Sequence, residues 1–106
     1  MTPVDRQTAQ RILAKTRDEK TVLHFTVNGV EQTKTLNRVE GSLLNNRLAL
    51  RGTVAFTDVE LESSEDIFKS GRATIFGQEF TLDRRNIKNA ERPYVYALTY
   101  YLDIET

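Results

Sequence analysis

The sequence contains no cysteine and no tryptophan, and only one histidine, two prolines and one methionine. Without cysteine there is no disulfide framework, no thiolate nucleophile and no zinc–sulfur centre. A single histidine excludes a multi-histidine metal site and a histidine proton relay. No apolar run approaches the roughly 18 residues of a membrane-spanning helix, and the N-terminus is polar rather than signal-like. Charge of neither sign is in excess, since fifteen Lys and Arg stand against fifteen Asp and Glu. A dedicated binder of nucleic acid or of a membrane surface normally carries a basic surplus, so the balance weighs against both. The five glycines stand apart, which leaves no glycine-rich phosphate loop, and no serine sits in a nucleophile elbow. What is present is a soluble globular composition, 39% hydrophobic and 28% charged over 106 residues, with room for one domain. The expectation is a small cytoplasmic protein, a single domain over 1–106, with no cofactor and no enzymatic centre.

Met1 to Lys20 reads as the one helix. Thr2 is positioned to cap it, Pro3 fits a first helical position where its missing N–H costs nothing, and Asp5 puts negative charge at the positive end of the dipole. The apolar stripe of Val4, Ala9, Ile12 and Leu13 is narrow, which suits a helix laid lightly on a sheet or one kept for another subunit. From Thr21 the apolar period changes from 3.6 to two. Thr21–Val27 and Val30–Leu36 flank Asn28-Gly29, a strong hairpin signal, and the second strand is polar enough to read as a sheet edge. Asn37 to Asn46 reads as a connector. A third strand runs from Arg47 to about Thr57 with Leu48, Leu50, Val54 and Phe56 on one face, and Gly52 among them marks a bulge or a close approach.

Val59 and Leu61 break that register by one residue, and Ser63 to Gly71 reads as a capped helical turn docked through Ile67 and Phe68. Arg72–Phe76 and Glu79–Asp83 form a second hairpin about Gly77-Gln78, which pairs Ile75 with Phe80 and Ala73 with Leu82. After a polar loop over Arg84 to Pro93, Tyr94 to Ile104 alternates without a break as the longest strand. The fold class is α+β and mainly β. A helix over 1–20 precedes, over 21–106, an antiparallel meander of about six strands forming a small barrel or sandwich.

Three features could carry chemistry. His24 lies on the strand face opposite Phe25, but a catalytic histidine needs an orienting partner and a nucleophile, and nothing nearby in sequence supplies either. The acidic run Asp58, Glu60, Glu62, Glu65 and Asp66 would project carboxylates from a strand face toward a hard cation, yet it lacks the glycine turn and ligand offsets of a calcium loop. It reads as a solvated face followed by helix-capping acids. The loop Arg84, Arg85, Lys88 and Arg92, leading into Tyr94 and Tyr96, pairs cations with aromatic rings as small barrels do when they hold single-stranded nucleic acid. Against that, Tyr94, Tyr96 and Tyr100 share a face with Leu98, Leu102 and Ile104, a pattern of core or subunit interface. Tyr94, Tyr96, Tyr100 and Tyr101, with Ile12 and Leu13 of the helix, are the candidate interface residues, because tyrosine joins a large apolar area to a polar tip.

The segment Ile67-Phe68-Lys69-Ser70-Gly71-Arg72-Ala73-Thr74-Ile75-Phe76-Gly77-Gln78-Glu79-Phe80-Thr81-Leu82, followed by a strand such as Tyr94–Leu102, resembles the closing part of small head–tail joining (neck) proteins of long-tailed bacteriophages. The resemblance covers roughly the last 40 residues by pattern, and the whole chain by length and element order. It implies a small barrel with an N-terminal helix or arm, acting as a non-enzymatic connector in virion assembly. Its partners would be further copies of the chain, as a ring, and other virion proteins. A nucleic-acid-binding barrel is the second reading, and an inhibitor or regulator of a host protein the third.

Overall fold

Alternating apolar side chains need a surface to cover on one side only, and a sheet of this size meets that need by curling onto itself. The structure, a computed structural model, describes residues 3–27, 29–55, 71–89 and 95–105, with backbone alone at 27, 84 and 89. Its elements are helix α1 (Arg6–Asp18) and strands β1 (Thr21–Val27), β2 (Val30–Leu44), β3 (Arg47–Ala55), β4 (Arg72–Ile75) and β5 (Gln78–Leu82). A 3-10 turn (Arg84–Asn86), a two-residue strand β6 (Lys88–Asn89) and β7 (Val95–Asp103) complete the chain. The strands pair antiparallel in the order β1–β2–β3–β7–β5–β4, and β4 returns to β1 where His24 faces Thr74. Six strands thereby close a small barrel, and β6 adds to β7 beyond the end of β5.

Side chains facing inward fill the barrel. Leu23, Leu48, Leu50, Val54, Ile75, Phe80, Leu98, Tyr100 and Leu102 are all essentially inaccessible. Each large apolar side chain removed from water in this way contributes about 1.5–3 kcal/mol. Ala9 and Ile12 of α1 join the same core, and Leu13 packs against it, so the helix covers one end of the barrel. Lys15 reaches over the Phe76 ring, 5.8 Å from its centre.

Several sequence expectations are corrected. The helix starts at Arg6 rather than Met1, and its cap is Asp5, whose carboxylate accepts from the Thr8 backbone N–H at 2.7 Å. That hydrogen bond, with the Thr8 hydroxyl foremost, holds the Asp5 carboxyl below the usual carboxylate range. The helix cannot begin earlier because Val4 pairs in parallel with Ile104: its N–H donates to Asp103 O, and its carbonyl accepts from the Glu105 N–H. Residues 37–44 are not a connector but the second half of β2. Val30–Leu36 pairs with β1 and Asn37–Leu44 with β3, so β2 is an interior strand that changes partners at a bulge between Asn37 and Glu40. Arg38 takes a positive φ there, and the turn into β3 falls at Asn45-Asn46.

The expected bulge at Gly52 therefore belongs to its partner strand, and Gly52 is the close approach: a Cβ would stand 2.7 Å from Asn37 O. In the second hairpin the turn is Phe76-Gly77, not Gly77-Gln78, and Ile75 pairs with Gln78 and Ala73 with Phe80. Both turn residues have positive φ (49° and 79°), the geometry that matches strand twist in a two-residue hairpin. The shift is by two residues, so Ala73, Ile75, Phe80 and Leu82 still face inward. The polar loop after β5 contains the 3-10 turn, capped by the Asp83 carboxylate, which accepts from the Arg85 N–H and the Asn86 side chain. Thr2, Asn28, the stretch 56–70 with its expected bend and helical turn, and Tyr94 lie outside the described residues.

Candidate binding surface on the outer wall

The inward side chains of the described strands are buried against one another, and the outward ones are what the barrel offers to a ligand. The strand register states which side chains share the outside. Ser42 of β2, Ala49 of β3, Tyr101 of β7, Thr81 of β5 and Arg72 of β4 form one rung across the wall. On one side of it lies the rung Leu44, Arg47 and Asp103; on the other lies Glu40, Arg51 and Thr99. Ser42, Ala49, Thr81 and Thr99 are small, so the floor between Tyr101, the arginines, Leu44 and the carboxylates of Glu40 and Asp103 is shallow and open.

Arg47 organises this wall. Its guanidinium lies 4.0 Å from the centre of the Tyr101 ring, and its Nε stands 3.3 Å from an Asp103 oxygen. A cation stacked on a ring is attracted by the negative face of the π system, by about 0.5–1 kcal/mol at an exposed site. Arg72 stands 3.6 Å from Glu79. Between them opens a concavity of about 610 Å³ lined by Arg47, Arg72, Thr81, Asp83, Arg85 and Tyr101. A second, of about 340 Å³, lies beyond Ala49 and includes Glu40, Arg51, Asn86 and Thr99.

The candidate residues of the sequence reading scatter over several environments. Tyr100 is buried in the core, and burial pushes its phenol up to about 12. Ile12 is buried beneath the helix. Neither presents a surface to a partner, and the expectation that they form an interface is corrected. Leu13 and Tyr96 are half-buried against the core, and Tyr101 is half-buried on the outer wall. Arg85 and Lys88 are exposed beside β7; Arg84 is described by its backbone alone, and Arg92, Tyr94 and the acidic run at 58–66 lie outside the described residues. His24 is exposed, 3.6 Å from Glu31. Among the described residues no group of three or more His, Asp or Glu is placed to hold a metal ion.

Sequence reasoning missed Arg47, Arg51 and Arg72. Their signal was present as the positions alternating with buried Leu48, Leu50 and Ala73, but only the register shows that they meet. Comparison with protein-family models, with curated proteins and with solved structures returns no match. Among the described residues no helix is long and apolar enough to cross a membrane.

Proposed function

We propose that the chain is a non-enzymatic assembly protein that associates with copies of itself through the two ends of β2. In the setting implied by the neck-protein resemblance, it is a neck or tail component of a long-tailed phage virion. The observation carrying this reading is the placement of two large apolar side chains that stand exposed among the described residues. Val30 is 61% exposed at the start of β2, and Leu44 is 69% exposed at its end. Val30 opens β2 and Leu44 closes it, with the bulge between Asn37 and Glu40 separating the half that pairs with β1 from the half that pairs with β3. A contact of one copy's Val30 end with the next copy's Leu44 end is head-to-tail, and such contacts generate rings when the rotation closes.

Charge does not oppose the contact. With fifteen residues of each sign, copies carry no net repulsion, a condition that favours association. Size-exclusion chromatography with light scattering over a range of concentrations tests the reading. The mass is expected to rise above that of one chain, and Leu44→Asp to return it to one chain with an unchanged circular dichroism spectrum. A single-chain mass at every concentration would end it.

A further inference from the structure

We propose that the outer wall over β3, β7 and β5 is a binding track for single-stranded nucleic acid. Five cations from four separate segments meet there: Arg47 and Arg51 of β3, Arg72 of β4, Arg85 of the 3-10 turn and Lys88 of β6. All five are exposed. Four carboxylates share the wall with them, so the cations exceed the acids there by one, and Arg47 and Arg72 exchange a surface ion pair for a phosphate contact on binding. Asp103 is held by Arg47, Glu79 by Arg72, and the Asp83 oxygens accept from the Arg85 N–H and the Asn86 side chain, while Glu40 stands across from Arg51.

The shape and length of the track select a polymer. Arg47 pairs with Asp103 at one end of β7, and Lys88 with Ala97 six residues away, a separation of about 20 Å along the strand. The two concavities of about 610 and 340 Å³ lie along the same wall. A lone phosphate would use one of these cations, whereas a backbone of successive phosphates uses the row. The Arg47–Tyr101 stack supplies a flat platform, and unpaired bases stack on guanidinium planes and aromatic rings alike. A duplex, with its bases already stacked inside, cannot use that platform, which selects a single strand.

The neutral net charge does not contradict this. Five of the fifteen acids, Asp58, Glu60, Glu62, Glu65 and Asp66, fall within one nine-residue run, so the remainder of the chain carries a basic surplus. The track does not use Val30, but Leu44 stands directly across from Arg47, so a copy seated on Leu44 would cover the Arg47 end of the track, and the test below is read at concentrations where light scattering gives the mass of one chain.

Fluorescence anisotropy of a labelled short oligo(dT), titrated with the full chain at several salt concentrations, tests the proposal. Binding is expected to weaken linearly on a log–log plot against salt. Replacing Arg72→Gln and Arg85→Gln together should flatten the slope by about 1.4, two contacts at roughly 0.7 each for a single strand. Tyr101→Leu should weaken binding about tenfold, at the level of one lost stacking contact, while Tyr101→Phe keeps it. Thermal melting of each variant separates these effects from misfolding. No binding at the lowest salt, or an arginine pair variant that binds with the parent slope, would overturn the track. A duplex bound as tightly as the single strand, or a polyglutamate peptide that competes equally well, would overturn the choice of ligand.

Discussion

At Gly52 two strands approach so closely that one methyl group has no room. A Cβ would stand 2.7 Å from both Asn37 O and Leu36 Cγ, and Asn37 is fixed by pairing with Thr53. Gly52→Ala is therefore expected to cost about 1–3 kcal/mol, as overpacking does, seen as a lower urea midpoint at unchanged slope. Tyr100 gives a second expectation, in pH. Its phenol ionises near 10 in the unfolded chain but holds its proton to about 12 when buried. Between those values the folded chain binds the extra proton, so stability is complete below about pH 10 and falls as pH rises toward 12, by on the order of 2–3 kcal/mol. Urea midpoints across that interval should fall more steeply for the parent than for Tyr100→Phe, and parallel curves would contradict the burial of the hydroxyl. Both residues were visible in the sequence as members of an apolar face. Their roles were only partly so: alternation marks a side chain as inward or outward without saying whether inward means core or subunit contact, and Tyr100 proves to be core.

Elements whose boundaries depend on local chemistry were the easiest to place from sequence. The β1 strand, the start of β2 and the inward faces of both hairpins follow from alternation and turn residues alone. The elements that were misplaced depend on distant partners. The helix begins late because Ile104, a hundred residues away, claims Val4 as a strand partner. The second half of β2 reads as a connector because of Gly41, Ser42 and the Asn45-Asn46 pair, whereas its pairing, past a bulge between Asn37 and Glu40, is with the distant strand β3. The β4–β5 turn is the place to test element-scale reasoning. Gly77 has φ +79° with open space around its α-carbon, so Gly77→Ala adds backbone strain and no clash. It is expected to cost about 1–2 kcal/mol, the penalty of a left-handed conformation in a residue with a Cβ. Gly77→Asn should recover part of it, because asparagine tolerates that region better. Thermal melting of the two variants checks the order, and equal losses would point to packing instead of the backbone.

For the whole molecule, alternation was enough to give a mainly β fold with one helix, but barrel and sandwich differ only in closure, and closure rests on the β1–β4 seam and the β3–β7 pairing. The same limit hid the outer wall. Arg85 and Lys88 stood out in a cationic loop, whereas Arg47, Arg51 and Arg72 join them only through strands far apart in sequence. Closure also decides how copies of the chain can meet, because strands paired around a barrel leave contacts to exposed side chains rather than to a long free edge. Val30 lies on the β1–β2 hairpin beyond the core, on the face that Leu36 turns inward, whereas Leu44 points outward beside Arg47. The two surfaces differ, so a head-to-tail contact uses one of each per copy. Val30→Asp and Leu44→Asp, each alone, should then leave a single chain, since each lacks one half of the contact. Mixed in equal amounts they should form a dimer and stop there, the intact Leu44 end of one meeting the intact Val30 end of the other. Association through like surfaces behaves differently: one of the two variants would still dimerise alone, and mixing would add nothing. Light scattering of the separate and mixed variants distinguishes the two, and a mixture that stays at the mass of one chain excludes the head-to-tail contact.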